Sequence, residues 1–160
     1  MALQRFVGGY ARLARLPAPR PAEVVLAPLA SRVCGLMDGA PVRLEGDGEL
    51  RVLADADQLE QVLINLLRNA LEAGGGEQVV LRWRADGGNA RIEVVDRGPG
   101  PPPGDNLFVP FFTTKPGGSG IGLVLSRQIV EAQRGTLVLE PGPDGRGAVA
   151  TVVLPLPVGQ

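Results

Sequence analysis

Phe108-Val-Pro-Phe-Phe-Thr-Thr-Lys-Pro-Gly-Gly-Ser-Gly-Ile-Gly-Leu123 is the stretch from which the rest of the chain is best understood. It joins an aromatic cluster and one lysine to three alternating glycines, and an apolar run with helical spacing follows at residues 123–130. Glycines that lead into a helix start leave backbone N–H groups free at the positive end of the helix dipole, which predicts a phosphate site. The spacing is not that of a P-loop, and the stretch does not directly follow a strand as a dinucleotide-binding turn would. A flexible glycine- and serine-rich linker is the alternative.

The composition is that of an ordinary globular domain. The chain has 160 residues, of which 44% are hydrophobic and 21% charged, and its net charge of −1 gives no basic field for nucleic acid. It contains one cysteine and no histidine, which excludes an internal disulfide and any histidine base, nucleophile partner or metal ligand within this chain. No apolar run approaches the roughly 20 residues of a membrane span. We expect a cytoplasmic domain, whose parent protein can be attached to a membrane.

The first 20 residues differ from the rest. Residues 1–15 carry a helical apolar stripe broken by two glycines, and residues 16–21 form a proline-rich, extended linker. We therefore divide the chain into a helical remnant with its linker, residues 1–20, and one domain, residues 21–160.

The remaining pattern predicts an α+β fold. Residues 42–45 and 50–53 alternate across Gly46-Asp-Gly48 and predict a hairpin, and two further hairpins are predicted at 78–95 and 136–154. Helices are predicted from residue 27 to 37, from 55 to 73 and from 123 to about 133, with a short strand at 23–26. Strands joined mostly by hairpins, with helices between them, predict a two-layer sandwich in which helices cover one face of a mixed sheet.

The helix at 55–73 has the clearest signals. Asp55 is placed to cap it, and Gln58 stands three residues later, where a capping box requires it. Asn65 and Asn69 lie one turn apart on its polar side. Amide oxygens are hard ligands suited to Mg²⁺, which takes its other ligands from water and phosphates. A solvated helix face is the alternative.

Two more features carry chemistry. Asp96-Arg-Gly-Pro-Gly100 follows a predicted strand, where a carboxylate can accept from an exocyclic amine and glycines let a flat ligand approach. Lys115 follows a phenylalanine cluster and adjoins the glycines, where it can reach a phosphate. A simple turn and ordinary loop packing are the respective alternatives.

The four features in this order resemble the catalytic, ATP-binding domain of bacterial sensor histidine kinases, whose superfamily includes gyrase, heat-shock chaperone and mismatch-repair ATPases (the Bergerat or GHKL fold). Residues 65–73 resemble its N box, 96–100 its first glycine box, 108–115 its F box and 118–123 its second glycine box. Residues 147–151 resemble its closing strand. The ending of the N box and the Pro-Phe-Phe-Thr-Thr-Lys-Pro run are similar to the nitrogen- and oxygen-sensor subgroup.

The resemblance implies a role for each matching residue. Asn69 would coordinate Mg²⁺, Asn65 would touch the metal or a phosphate, and Asp96 would accept from the adenine amino group. Thr151 of the closing strand would support Asp96. The implied catalytic residues are Asn65, Asn69 and Lys115, and the implied nucleotide contacts are Asn65, Arg68, Asn69, Asp96, Gly98, Gly100, Thr114, Lys115, Gly118, Ser119, Gly120, Ile121, Gly122, Leu123 and Thr151.

The chain departs from the family in two respects. Glu72 and Ala73 stand where many members carry a basic and aromatic pair, and Arg68 can replace the basic contact. The acceptor histidine is missing, and residues 1–15 resemble the end of a dimerisation helix, so we expect an excised catalytic domain or, alternatively, a naturally truncated or degenerate kinase. We expect it to be monomeric, with a histidine-bearing dimerisation domain and a response regulator as partners. An ATPase or serine-kinase module of the same superfamily and a non-catalytic nucleotide-binding module are the alternatives.

Overall fold

The computed structural model describes residues 17–74, 76–97, 121–142 and 146–157. These residues form a five-stranded sheet, a two-stranded sheet and three helices. In chain order the elements are β1 (Ala22–Val25), α1 (Leu26–Gly35), β2 (Val42–Gly46), β3 (Arg51–Ala54), α2 (Ala56–Gly74), β4 (Val79–Asp86), β5 (Asn89–Val95), α3 (Ile121–Ala132), β6 (Thr136–Pro141) and β7 (Ala148–Pro155).

The main sheet is mixed, as predicted. Its strand order is β2-β4-β5-β7-β6, in which β2 runs parallel to β4 and all other neighbours are antiparallel. The predicted hairpins β4–β5 and β6–β7 are both confirmed by their registers.

One face of this sheet packs against the helices. Leu63 of α2 and Val130 of α3 belong to the same buried cluster as Ile92 and Val152 of the sheet. Fully burying a side chain of this kind contributes about 1.5–3 kcal/mol, so the packing of helices on the sheet stabilises the fold. The two-layer α+β architecture is therefore confirmed.

The predicted hairpin at residues 42–53 is wrong. β2 pairs in parallel with β4, starting with Val42 opposite Val79, whereas β3 pairs with β1 in the separate two-stranded sheet. The turn between them is fixed to β4, because Trp83 Nε1 donates to the Asp47 carbonyl at 2.8 Å. Gly46 lies flat against the same indole, where a Cβ would come within 2.2 Å of the ring. Alternation shows which side chains are buried but not which strand is the partner.

At the N-terminus of α2, one of the two predicted capping contacts is confirmed and the other is wrong. Asp55 Oδ1 accepts from the Gln58 backbone N–H at 3.1 Å, which confirms Asp55 as the cap. The reciprocal bond of a capping box is replaced, because the Asp55 N–H donates to Gln133 Oε1 at 2.6 Å. Gln133 is buried, lies just after α3, and donates to Gln58 Oε1 at 3.1 Å. The end of α3 is thus fastened to the start of α2.

The residues preceding β1 are fastened to the same cap. The Arg20 N–H donates to Asp55 Oδ2 at 2.8 Å, and Gln58 Nε2 donates to the Pro17 carbonyl at 3.0 Å. Burial opposes ionisation of Asp55, but the backbone N–H groups of Arg20 and Gln58 outweigh it and hold the pKa of this carboxyl below its ordinary value. Residues 1–16 lie outside the described part, so the boundary at residue 20 stays a prediction.

In the part of the chain that the structure describes, no helix has both the length and the apolar character to cross a membrane.

Candidate functional site

The polar side of α2 is the first part of the site. The leucines at 59, 63, 66 and 67 turn into the core, which is the face that their spacing predicts. Asn65 and Asn69 are half-buried, whereas Arg68 and Glu72 are exposed. The two amides therefore lie at the margin of the helix interface, where a ligand can be partly shielded from water.

Asn65 also contacts α3. Its Nδ2 donates to Ser126 Oγ at 3.4 Å, and Ser126 is fully buried. Because α3 begins at Ile121, directly at the second glycine motif, this contact connects the amide face of α2 with the helix that carries that motif. Sequence reasoning missed Ser126, since a single serine in an apolar helix gives no signal of a partner 61 positions away.

Asp96 is the second part of the site. It follows β5 directly and is only 6% exposed. Alternation places it on the face of β5 that bears Ile92 and Val94, which is the face covered by the helices. Its backbone N–H donates to the Ala148 carbonyl at 3.0 Å, so the start of β7 holds the position of this carboxylate.

Gly147 lies against Asp96. It has a φ of +71°, and a Cβ there would come within 2.0 Å of the Asp96 carbonyl oxygen. Both the backbone conformation and the close approach therefore require glycine. From the sequence, Gly147 was identified only as the first residue of the closing strand, and no role in the site was predicted for it.

The structure does not bring Thr151 to Asp96. Thr151 is paired with Glu93, three positions along β5 from Asp96, and is adjacent to Val138 on the other side. Since side chains alternate across a strand, Thr151 lies on the face opposite to Ala150 and Val152, which pack under the helices. Its hydroxyl is buried and has no hydrogen-bond partner among the described residues. Ala148, not Thr151, is the β7 residue next to Asp96.

The remaining predicted contacts divide into two groups. Ile121 and Gly122 begin α3, and the half-buried side chain of Leu123 packs against the core, so its own contact with a ligand would come from the backbone. The other group lies outside the described residues and consists of Gly98, Gly100, Thr114, Lys115, Gly118, Ser119 and Gly120.

The donor set fits a magnesium nucleotide. The described residues contain no cluster of three or more histidine, cysteine, aspartate or glutamate side chains that could hold a metal alone. Mg²⁺ does not need one when it binds with a nucleotide, because it keeps several waters and takes other ligands from phosphates. The half-buried amides of Asn65 and Asn69 can supply the few protein oxygens that such an ion requires. The buried carboxyl of Asp96 can accept from a base amine.

Comparison with known proteins agrees with this arrangement. Residues 54–158 match the family described as histidine kinase-, DNA gyrase B- and HSP90-like ATPases, a range that covers α2, α3 and every strand of the five-stranded sheet except β2. The chain belongs to this family.

Sequence relatives place it with sensor kinases. The chain is 42% identical to the C4-dicarboxylate transport sensor protein DctB of Rhizobium meliloti over 128 residues, which are 77% of this chain and 20% of DctB. It is 44% identical over 110 residues to the sensor protein FixL of Bradyrhizobium diazoefficiens, covering 65% of the chain and 22% of FixL. It is 38% identical over 123 residues to the sensory histidine kinase/phosphatase NtrB of Shigella flexneri, covering 68% of the chain and 35% of NtrB. The chain thus spans only a fifth to a third of these relatives.

Solved structures agree in fold. The catalytic domain of histidine kinase ThkA is 30% identical with a TM-score of 0.75, and the match covers 86% of this chain and 96% of ThkA's domain. Full-length ShkA in complex with AMPPNP gives a TM-score of 0.77 at 29% identity, covering 97% of this chain and 35% of ShkA. The chain is therefore an ATP-binding catalytic domain of the histidine-kinase type, and FixL and NtrB are among its relatives.

Proposed function

We propose that this domain binds Mg·ATP and donates the γ-phosphoryl group to a histidine on a dimerisation domain, for relay to a response regulator. The observation that supports it best is Asp96, a carboxyl that is 6% exposed at the end of β5 and against which Gly147 is pressed. A buried carboxyl is costly unless it serves a structural or ligand-binding role, and this one lies in the family's nucleotide motif.

Each residue has a defined task in this proposal. Asp96 accepts from the exocyclic amine of adenine and so selects the base. Asn69 holds Mg²⁺, which neutralises phosphate charge when it is bound, and Asn65 touches the metal or a phosphate. Lys115 and the backbone N–H groups of the second glycine motif contact the phosphates. The contribution of the domain is then positioning and electrostatic stabilisation of an in-line transfer.

The acceptor comes from outside this sequence, which contains no histidine. The histidine itself attacks the γ-phosphorus, so the domain needs no general base of its own. Superfamily members that hydrolyse ATP place a glutamate on this helix, and the matching position here is Asn65. We therefore expect slow hydrolysis by the isolated chain.

The partners are proposed from the same reasoning. ThkA has been solved in complex with the response regulator TrrA, and that structure matches 98% of this chain with a TM-score of 0.78 at 26% identity. We infer a histidine-bearing dimerisation domain and a response regulator for this protein, a monomeric state for the chain alone, and a cytoplasmic site of action.

Phosphotransfer tests the proposal directly. The chain is mixed with the histidine-bearing dimerisation domain of a related kinase and γ-labelled ATP, and acid-labile, base-stable label on that domain is measured. A variant of the acceptor domain without its histidine is the control. Rapid ATP hydrolysis with no labelled acceptor would favour an ATPase module. Binding of ATP with neither label nor hydrolysis would favour a non-catalytic module.

A further inference from the structure

Ser126 is an unexpected residue at the interface of α2 and α3. It is 0% exposed, while its neighbours on α3 include the buried apolar residues Val124, Ile129 and Val130. A hydroxyl in such surroundings costs free energy unless it is hydrogen-bonded. Among the described residues, Ser126 Oγ accepts from the Nδ2 of Asn65 at 3.4 Å. The serine is therefore placed to act on Asn65 rather than to fill space.

The hydrogen bond determines which end of the Asn65 amide faces the site. A carboxamide has a donor nitrogen and an acceptor oxygen on opposite branches of one plane, and these differ in what they can bind. Because the nitrogen is turned towards Ser126 on α3, the oxygen is turned away from it. An oxygen can coordinate a cation or accept from its bound water, but it cannot donate to a phosphate.

We propose that Ser126 is a positioning residue, which holds the Asn65 amide with its oxygen towards the metal of a bound nucleotide. This inference rests on the proposed Mg·ATP site and resolves which group Asn65 contacts there: the metal or its water, rather than a phosphate. It also explains why a hydroxyl lies in an apolar interface, and why it lies on the helix that starts at the second glycine motif.

Without Ser126 the amide would be free to turn. The amide could then present either its nitrogen or its oxygen to the ligand. Because only the oxygen can coordinate the metal, the Mg²⁺-dependent part of the nucleotide affinity would fall. The loss of one neutral hydrogen bond predicts a weakening of about 3- to 10-fold for Mg·ATP. ATP without metal does not use the Asn65 oxygen, so its affinity should change by less than about 2-fold.

The experiment is a calorimetric titration with ATP, in Mg²⁺ and in EDTA, on wild type, Ser126→Ala, Asn65→Ala and the double variant. Ser126→Cys keeps the volume and a weak acceptor, so it should recover part of the loss. Val130→Ala is the control for a loosened α3: it creates a cavity in the same helix and removes no hydrogen bond. Thermal unfolding of every variant checks its fold.

The expected result is a loss for Ser126→Ala that is confined to the Mg²⁺ titration and disappears in the Asn65→Ala background. An equal loss in Mg²⁺ and EDTA, matching that of Val130→Ala, would show a merely structural role and overturn the inference. A full loss that persists in the Asn65→Ala background would overturn it too. If wild type did not bind ATP at all, the proposed function would fail first; if wild type binds Mg·ATP and Ser126→Ala equals it, only the present inference fails.

Discussion

Replacing Gly147 by alanine tests whether the start of β7 holds Asp96 in place. An alanine at a φ of +71° costs about 1–2 kcal/mol, because L-residues disfavour the left-handed region. The new Cβ would also lie 2.0 Å from the Asp96 carbonyl oxygen, 2.7 Å from its carbonyl carbon and 2.8 Å from the Arg97 Cα. All three are backbone atoms, so no side chain can move aside, and overpacking of this kind adds about 1–3 kcal/mol.

Gly87 supplies the matched control. It has a φ of +63° in the turn between β4 and β5, and a Cβ there would meet nothing within 4 Å. Gly87→Ala therefore has the same backbone cost without the close approach. The free energy of unfolding in urea should fall by about 1–2 kcal/mol for Gly87→Ala and by about 1–3 kcal/mol more for Gly147→Ala.

The two variants should also differ in nucleotide binding. Displacing the Asp96 backbone weakens a charge-assisted hydrogen bond of about 1.5–3 kcal/mol to the base, so Gly147→Ala should bind ATP about 10-fold or more weakly. Gly87→Ala should bind as wild type does. Equal unfolding free energies for the two variants, or unchanged ATP affinity in a folded Gly147→Ala protein, would refute the reasoning.

Three further outcomes follow from other contacts. Gln133→Leu leaves the Asp55 N–H without its acceptor and should lower the free energy of unfolding by about 1–3 kcal/mol in urea; an unchanged midpoint would contradict the role given to Gln133. The lowered pKa of Asp55 means that its contribution to stability is complete above the ordinary value of 3.8 and is lost as the pH falls below it. In Asp55→Asn, the free energy of unfolding in urea should therefore fall less as the pH is lowered through 3.8 than it does in wild type. An identical pH dependence in the two proteins would contradict this role of Asp55. Gly46→Ala would place a Cβ 2.2 Å from the indole of the single tryptophan, Trp83, so it should shift the fluorescence emission and destabilise the fold; an unperturbed spectrum would disprove the contact.

The sequence was sufficient for local structure and for the order of the motifs. Periodicity identified α2 and both antiparallel hairpins, because those signals lie within one element or between neighbours in the chain. It failed at β2 and β3, where both strands alternate correctly but pair with strands that are distant in sequence.

In the site, too, residues with a local motif were predicted and residues that act through distant contacts were not. Asp96 and the two asparagines of α2 were found from motifs, whereas Ser126 and Gln133 gave no local signal and Gly147 was identified only as the start of the closing strand. Each of these three acts through a contact that joins positions 51 or more residues apart. Thr151 was assigned from its motif, and only the register of β7 revealed that it lies on the other face of the sheet.

The most direct test of the central claim is a calorimetric titration with ATP, in Mg²⁺ and in EDTA, on wild type, Asp96→Asn and Asn69→Ala. We predict tight binding to wild type in Mg²⁺, a loss for Asp96→Asn in both conditions, and a loss for Asn69→Ala that is confined to Mg²⁺. A folded wild-type domain that does not bind ATP, or an Asp96→Asn variant that binds it as wild type does, would contradict the account.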